Sequence, residues 1–170
     1  MINYGIVYGL SAWGMADRLD IPQEEADEFI QRYMAGFPAV ARWIEQTIDE
    51  ATENGYVSTL FGRRRQVPEL RARRWDLRKQ GERFAVNMVI QGTAADIMKV
   101  AMVRTVQALR DAGLRSRMIL QIHDELLFEG PAEEAEQVKA IAIEQMAGAF
   151  EMDPPLAVEA GTGSDWLAAK

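Results

Sequence analysis

Two apolar runs with only two residues between them constrain this chain more than any other feature. RMILQI (117–122) and ELLFE (125–129) each have the length of an ordinary strand, and only His123 and Asp124 separate them. A two-residue connection leaves room for nothing but a tight antiparallel reversal. The spacing therefore predicts a β-hairpin whose tip carries His123, Asp124 and Glu125. Acids at a turn have an ordinary local explanation, since Asp favours turns. Held rigidly, the same carboxylates are oxygen ligands for a divalent cation. Both readings stay open from these residues alone. The chain has no cysteine and one histidine, His123, which excludes a structural zinc site. It also disfavours a histidine-aspartate phosphohydrolase, whose site needs several histidines. Any bound metal must be held by oxygen, which points to Mg²⁺-like ions.

Around the hairpin the pattern is helical. Residues 22–36 read as a helix, with Pro22 at its first position and Glu24, Glu25 and Asp27 near its positive end. A second helix follows Gly36-Phe37-Pro38 and stops at Gly55. Residues 56–67 have strand formers on both sides of Gly62 and predict an extended excursion. A long helix runs from about Asp76 to Ile90. Gly92 should interrupt it, and Thr93–Asp96 resembles a capping box opening a further helix that ends at Gly113. Pro131 starts another helix to about Phe150, and LAVEA (156–160) predicts a last short strand. At the beginning, NYGIVYG places Tyr4/Tyr8 and Gly5/Gly9 at i, i+4 on a helix with no N-cap. That pattern suggests a chain beginning mid-element. The fold class expected is α+β.

The helix 79–92 carries a polar stripe where burial is expected. From Phe84 to Ile90 six of seven residues are apolar, yet Lys79, Arg83, Asn87 and Gln91 recur at steps of four. An unpaired buried polar group costs about 1–3 kcal/mol, so something polar must meet this row. An internal hydrogen-bond network would serve; so would nucleic acid, whose minor groove offers acceptors at every base pair. A basic block immediately upstream would add attraction for phosphate, although on composition alone a solvated charged surface explains such a block at least as well. The net charge is −7, but Arg63–Arg83 holds nine Lys/Arg against three Asp/Glu, leaving −13 on the remainder. No run of about 18 apolar residues exists to span a membrane, and the absence of cysteine fits a reducing compartment.

NYGIVYG, then ERFAVNMVIQGTAAD, then QIHDELLFE, in that order, closely resemble DNA polymerase family A, the bacterial DNA polymerase I group. The resemblance runs through to the terminal GSDWLAAK. It implies a helical fingers portion over 1–75, entered mid-helix, followed by a palm portion over 76–170 in which helices pack on a small antiparallel sheet bearing the hairpin. It implies nucleotide-binding roles for Tyr4 and Tyr8, and DNA contacts for Arg83, Asn87, Gln91 and His123. Asp124 becomes a metal-binding catalytic acid, with Glu125 as a supporting acid. Two Mg²⁺ ions are expected in a complete enzyme, with primer-template DNA and a deoxynucleoside triphosphate as partners, in the cytoplasm. The family's upstream metal-binding aspartate and its fingers Arg-Arg-x-x-Lys run have no counterpart here. These residues are therefore expected to need the missing N-terminal polymerase segments, from the same gene or a separate chain. Without them the chain should not polymerise alone, and a DNA-binding fragment or half of a split polymerase are the alternatives.

Overall fold

Local capping sets several of the element boundaries. The computed structural model describes residues 2–169 and divides between Thr93 and Ala94 into two units. The first contains α1 (Ile2–Val7), α2 (Ala12–Leu19), α3 (Gln23–Gly36), α4 (Pro38–Asn54), β1 (Tyr56–Ser58), β2 (Arg64–Gln66) and a 3₁₀ turn (Pro68–Arg71). The division falls within α5 (Trp75–Asp111). Helix α2, which the sequence reading passed over, starts where the Ser11 hydroxyl accepts the Gly14 N–H at 3.2 Å. Pro22 stands at the cap of α3, one position before the helix proper. Gly55 ends α4 at φ +81, its N–H reaching the Ala51 carbonyl at 2.8 Å.

Two small cores hold this unit. Ile6, Met15 and Ala26 are buried together, with Leu10, Ile30, Tyr33 and Met34 packed around them. The other joins α4, the β1–β2 hairpin and α5 through Ala51, Val57, Val67, Leu70 and Ala85, with Phe84 and Met88 at its edge. Arg71 ties the second core together at the polar end of α4. Its guanidinium donates to the Thr52 and Glu53 carbonyls at 3.1 and 3.0 Å, satisfying orphan acceptors and placing positive charge at the helix's negative pole.

Helix α5 corrects one expectation. It runs for 37 residues straight through Gly92 with no break. A mid-helix glycine costs roughly 1 kcal/mol relative to alanine, and packing explains why it is there. A Cβ on Gly92 would lie 2.7 Å from Thr59 Cγ2 and 2.9 Å from Met88 Cε, so only glycine admits that loop. Thr93 is no N-cap either. Its hydroxyl donates to the Val89 carbonyl at 2.5 Å and accepts the Leu60 N–H at 3.1 Å, pinning the hairpin tip onto the helix.

The second unit holds the rest of α5, β3 (Arg117–Ile122), β4 (Glu125–Glu129), a 3₁₀ turn (Ala132–Glu134) and α6 (Ala135–Ala147). Ala101, Thr105, Leu109, Val138, Ala142 and Ala149 are buried in it. Residues 156–160 form neither strand nor helix. Leu156, Val158 and Ala160 keep the alternating half-burial that suggested a strand, but among the described residues no strand pairs with them. Period-two burial without a ladder partner is an extended loop.

Glu134 clamps the start of β3 to the start of α6. Its carboxylate accepts the Ser116 hydroxyl at 2.6 Å and the Ser116 and Arg115 N–H groups at 2.9 and 3.1 Å. These donors hold its carboxyl at about 2, against an ordinary 4.5, the Ser116 hydroxyl contributing most. A folded-state value below the unfolded one gives stability that is complete above pH 4.5 and is lost as pH falls toward 2. The Glu134→Gln protein should therefore melt lower than the parent at neutral pH, with the gap closing as acid is added. Thermal melts across that window check this; a gap constant with pH would refute the assignment.

Candidate nucleic-acid and metal sites

The hairpin forms as its spacing requires. Ile122 pairs with Glu125, leaving His123 and Asp124 as the two turn residues. His123 takes a left-handed φ of +51, a conformation histidine visits more readily than most residues but at a cost of about 1 kcal/mol. Gln121 braces the tip, its side-chain amide donating to the His123 carbonyl at 2.5 Å. Ile119 is an extra residue in β3, since Met118 faces Phe128 and Leu120 faces Leu127, and such bulges sharpen the local twist. His123, Asp124 and Glu125 are all exposed at this end. Among the described residues no group of three or more His, Cys, Asp or Glu converges into a metal cage. Two exposed carboxylates still fit Mg²⁺, which usually takes one or two protein carboxylates and completes its octahedron with waters and substrate phosphates.

The first unit carries the other candidates. On α5, Arg83 and Gln91 are exposed and Asn87 is half-buried between them. The Asn87 side-chain oxygen is itself buried and has no hydrogen-bond partner among the described residues. Arg83 packs its aliphatic stem on Gly9: a Cβ there would fall 2.7 Å from Arg83 Cγ, and the glycine's φ is +81. The turn that follows the tyrosine helix is thus seated on the row. Tyr4 and Tyr8 stack with ring centroids 6.4 Å apart and planes at 12°, Tyr4 being 71% exposed. The structure therefore brings Tyr4, Tyr8 and the 83–91 row together in one unit. His123, Asp124 and Glu125 share a hairpin tip in the other.

The basic block divides by use. Arg71 and Arg78 bind backbone carbonyls, Arg74 pairs with Asp76 at 2.6 Å, and Lys79 pairs with Glu82 at 2.7 Å. Arg64 and Arg65 lie over the rings of Tyr56 and Phe84 at 4.5 and 4.6 Å. Carbonyl and ring contacts leave the positive charge of Arg64, Arg65, Arg71 and Arg78 in place, whereas that of Arg74 and Lys79 is paired with a carboxylate. Trp75 lies at the start of α5, one step of four before Lys79.

Comparison with known proteins places the whole chain in one family. A family model for DNA polymerase family A covers residues 1–168. The thermostable DNA polymerase I of Thermus thermophilus is 53% identical over 169 residues, and the DNA polymerase I of Mycobacterium tuberculosis is 46% identical over 168. In each case the match takes in 99% of this chain but only 20% and 19% of the relative, so the chain spans about a fifth of the length of these relatives. The POL domain of Pol1 from M. smegmatis, solved in complex with DNA primer-template and dNTP, superposes with a TM-score of 0.95 at 46% identity, over 99% of this chain and 30% of that one. Sequence and fold agree, and the chain belongs to DNA polymerase family A.

Proposed function

We propose that this chain is the fingers-and-palm portion of a DNA-directed DNA polymerase that adds deoxynucleotides to a primer 3′ end on a DNA template. One observation carries the reading: Arg83 and Gln91 stand exposed on α5 at helical spacing on either side of Asn87, presenting donors along one row. The buried oxygen of Asn87 is an acceptor, for which the minor groove supplies a donor only at the guanine amino group, so the recognition rests on the donors of the row. Arg83 and Gln91 donate to the groove's acceptors, which are present at every base pair, so the row senses pairing geometry without reading sequence. Tyr4 and Tyr8 present aromatic faces to the incoming nucleotide and its base. His123 contacts the primer strand. Asp124 is the metal-binding acid and Glu125 supports it. When bound there, Mg²⁺ neutralises charge that builds on the reacting phosphate oxygens. The described acids supply part of a two-ion site, so the 170 residues by themselves are not expected to polymerise.

Binding and chemistry test separately. Fluorescence anisotropy of the pure chain with a labelled primer-template should show salt-sensitive affinity that falls about 10-fold on Arg83→Ala and is untouched by Asp124→Ala. Primer extension by the pure chain should be absent. Duplex binding indifferent to Arg83 and Asn87 would sink the groove reading. Robust Mg²⁺-dependent extension that Asp124→Ala abolishes would sink the claim of incompleteness.

A further inference from the structure

The row on α5 has a member that the duplex reading does not use. Trp75 opens the helix one step of four before Lys79, and its side chain is 66% exposed. A lone exposed apolar residue is ordinary, but this one sits in a braced, positively charged setting. Arg78 donates to the Ala72 and Arg73 carbonyls at 3.0 and 2.8 Å, and Arg74 grips Asp76, so the segment leading into the helix is tied down before any ligand arrives. The Asp76 carboxylate is spent on Arg74. Arg78 spends its hydrogen bonds on neutral acceptors and keeps its charge. The Arg73 side chain is exposed, and among the described residues it makes no hydrogen bond or ion pair.

We propose that Trp75, with Arg73 beside it, is a stacking seat for a base of an unpaired DNA strand, gripping template that has left the duplex. The inference rests on the nucleic-acid reading above and extends it to single-stranded DNA. An indole face stacks on a base only where that base's face is open, which the interior of a duplex denies and an unpaired strand provides. Guanidinium groups beside the ring then meet the phosphates. Along the helix axis Trp75 is about 12 Å from Arg83, eight residues at about 1.5 Å each. That is only three or four nucleotide steps of about 3.4 Å, so one strand reaches both. An aromatic flanked by arginines also suits a protein surface; the local excess of positive charge favours the polyanion.

Two labelled duplexes of equal paired length, one blunt and one with a short 5′ overhang, test this by anisotropy on the 170-residue chain. Trp75→Ala should lower affinity for the overhang duplex about 5- to 150-fold and leave the blunt duplex unchanged. Trp75→Phe should restore most of the loss, and Arg73→Gln should reduce the salt dependence on the overhang duplex by about one phosphate contact. Equal binding of parent and Trp75→Ala to the overhang duplex overturns the proposal, as does an equal loss on both duplexes. If the parent binds the blunt duplex through Arg83 but Trp75 has no overhang effect, this inference alone fails. If it binds neither duplex, the nucleic-acid reading fails first.

Discussion

Asp124→Asn in a chimaera should abolish most primer extension while leaving primer-template affinity nearly intact. The chimaera replaces the segment of the Thermus thermophilus polymerase that this chain matches over 169 residues, so that the relative supplies the remainder. Asparagine keeps the shape of the side chain and its place at the turn, but gives up the charge that holds a divalent cation. A metal stabilises developing charge by several kcal/mol, and about 4 kcal/mol corresponds to roughly three decades in rate. Loss on the order of 1,000-fold is the expected reading, in turnover and not in the concentration of DNA needed. The tip is exposed and its backbone is braced by Gln121, whose bond goes to the His123 carbonyl and not to Asp124, so the substitution should not cost folding. Extension that stays within ten-fold of the parent chimaera would remove Asp124 from the chemistry altogether.

Gly130→Val should severely destabilise the second unit. Gly130 follows β4 directly and lies over Ser116, the residue that Glu134 clamps. A Cβ on Gly130 would overlap the Ser116 hydroxyl oxygen and come within 2.6 Å of its Cβ and 2.9 Å of its Cα. The hydroxyl could turn away, but only by releasing the Glu134 carboxylate, and the two carbons cannot turn at all. Overpacking of this kind costs about 3 kcal/mol, which for a chain of this size is a fall in Tm of roughly 6–12 °C. Thermal unfolding measures it. The Ser116→Ala, Gly130→Val double variant discriminates the cause, because removing the hydroxyl should recover part of the loss only if that contact is its source.

Legibility followed the reach of the interactions. The hairpin with His123 and Asp124 at its turn is visible in RMILQI-HD-ELLFE, since a two-residue gap between apolar runs admits one local solution. The end of α4 at Gly55 is visible for the same reason, a left-handed position being a local demand. Gly92 and Thr93 misled. As a local pattern they break one helix and cap the next; in the folded chain Gly92 is the flat place where Thr59 rests, and Thr93 receives the Leu60 N–H from 33 residues away. The strand expected at 156–160 failed because alternation records which face is buried and says nothing about whether a ladder partner exists.

For the candidate site the boundary is similar. The stripe of Arg83, Asn87 and Gln91 is legible from helical spacing. That Asn87 keeps a buried oxygen with no partner among the described residues, that Arg83 is seated on Gly9, and that Arg71 and Arg78 are bound to carbonyls is not. The amino-acid order alone thus settled which residues share a helix face or a turn, because backbone geometry repeats every few residues. The tertiary structure decided which of those polar groups are already satisfied and which still need a partner, because only packing brings the distant donors and acceptors together.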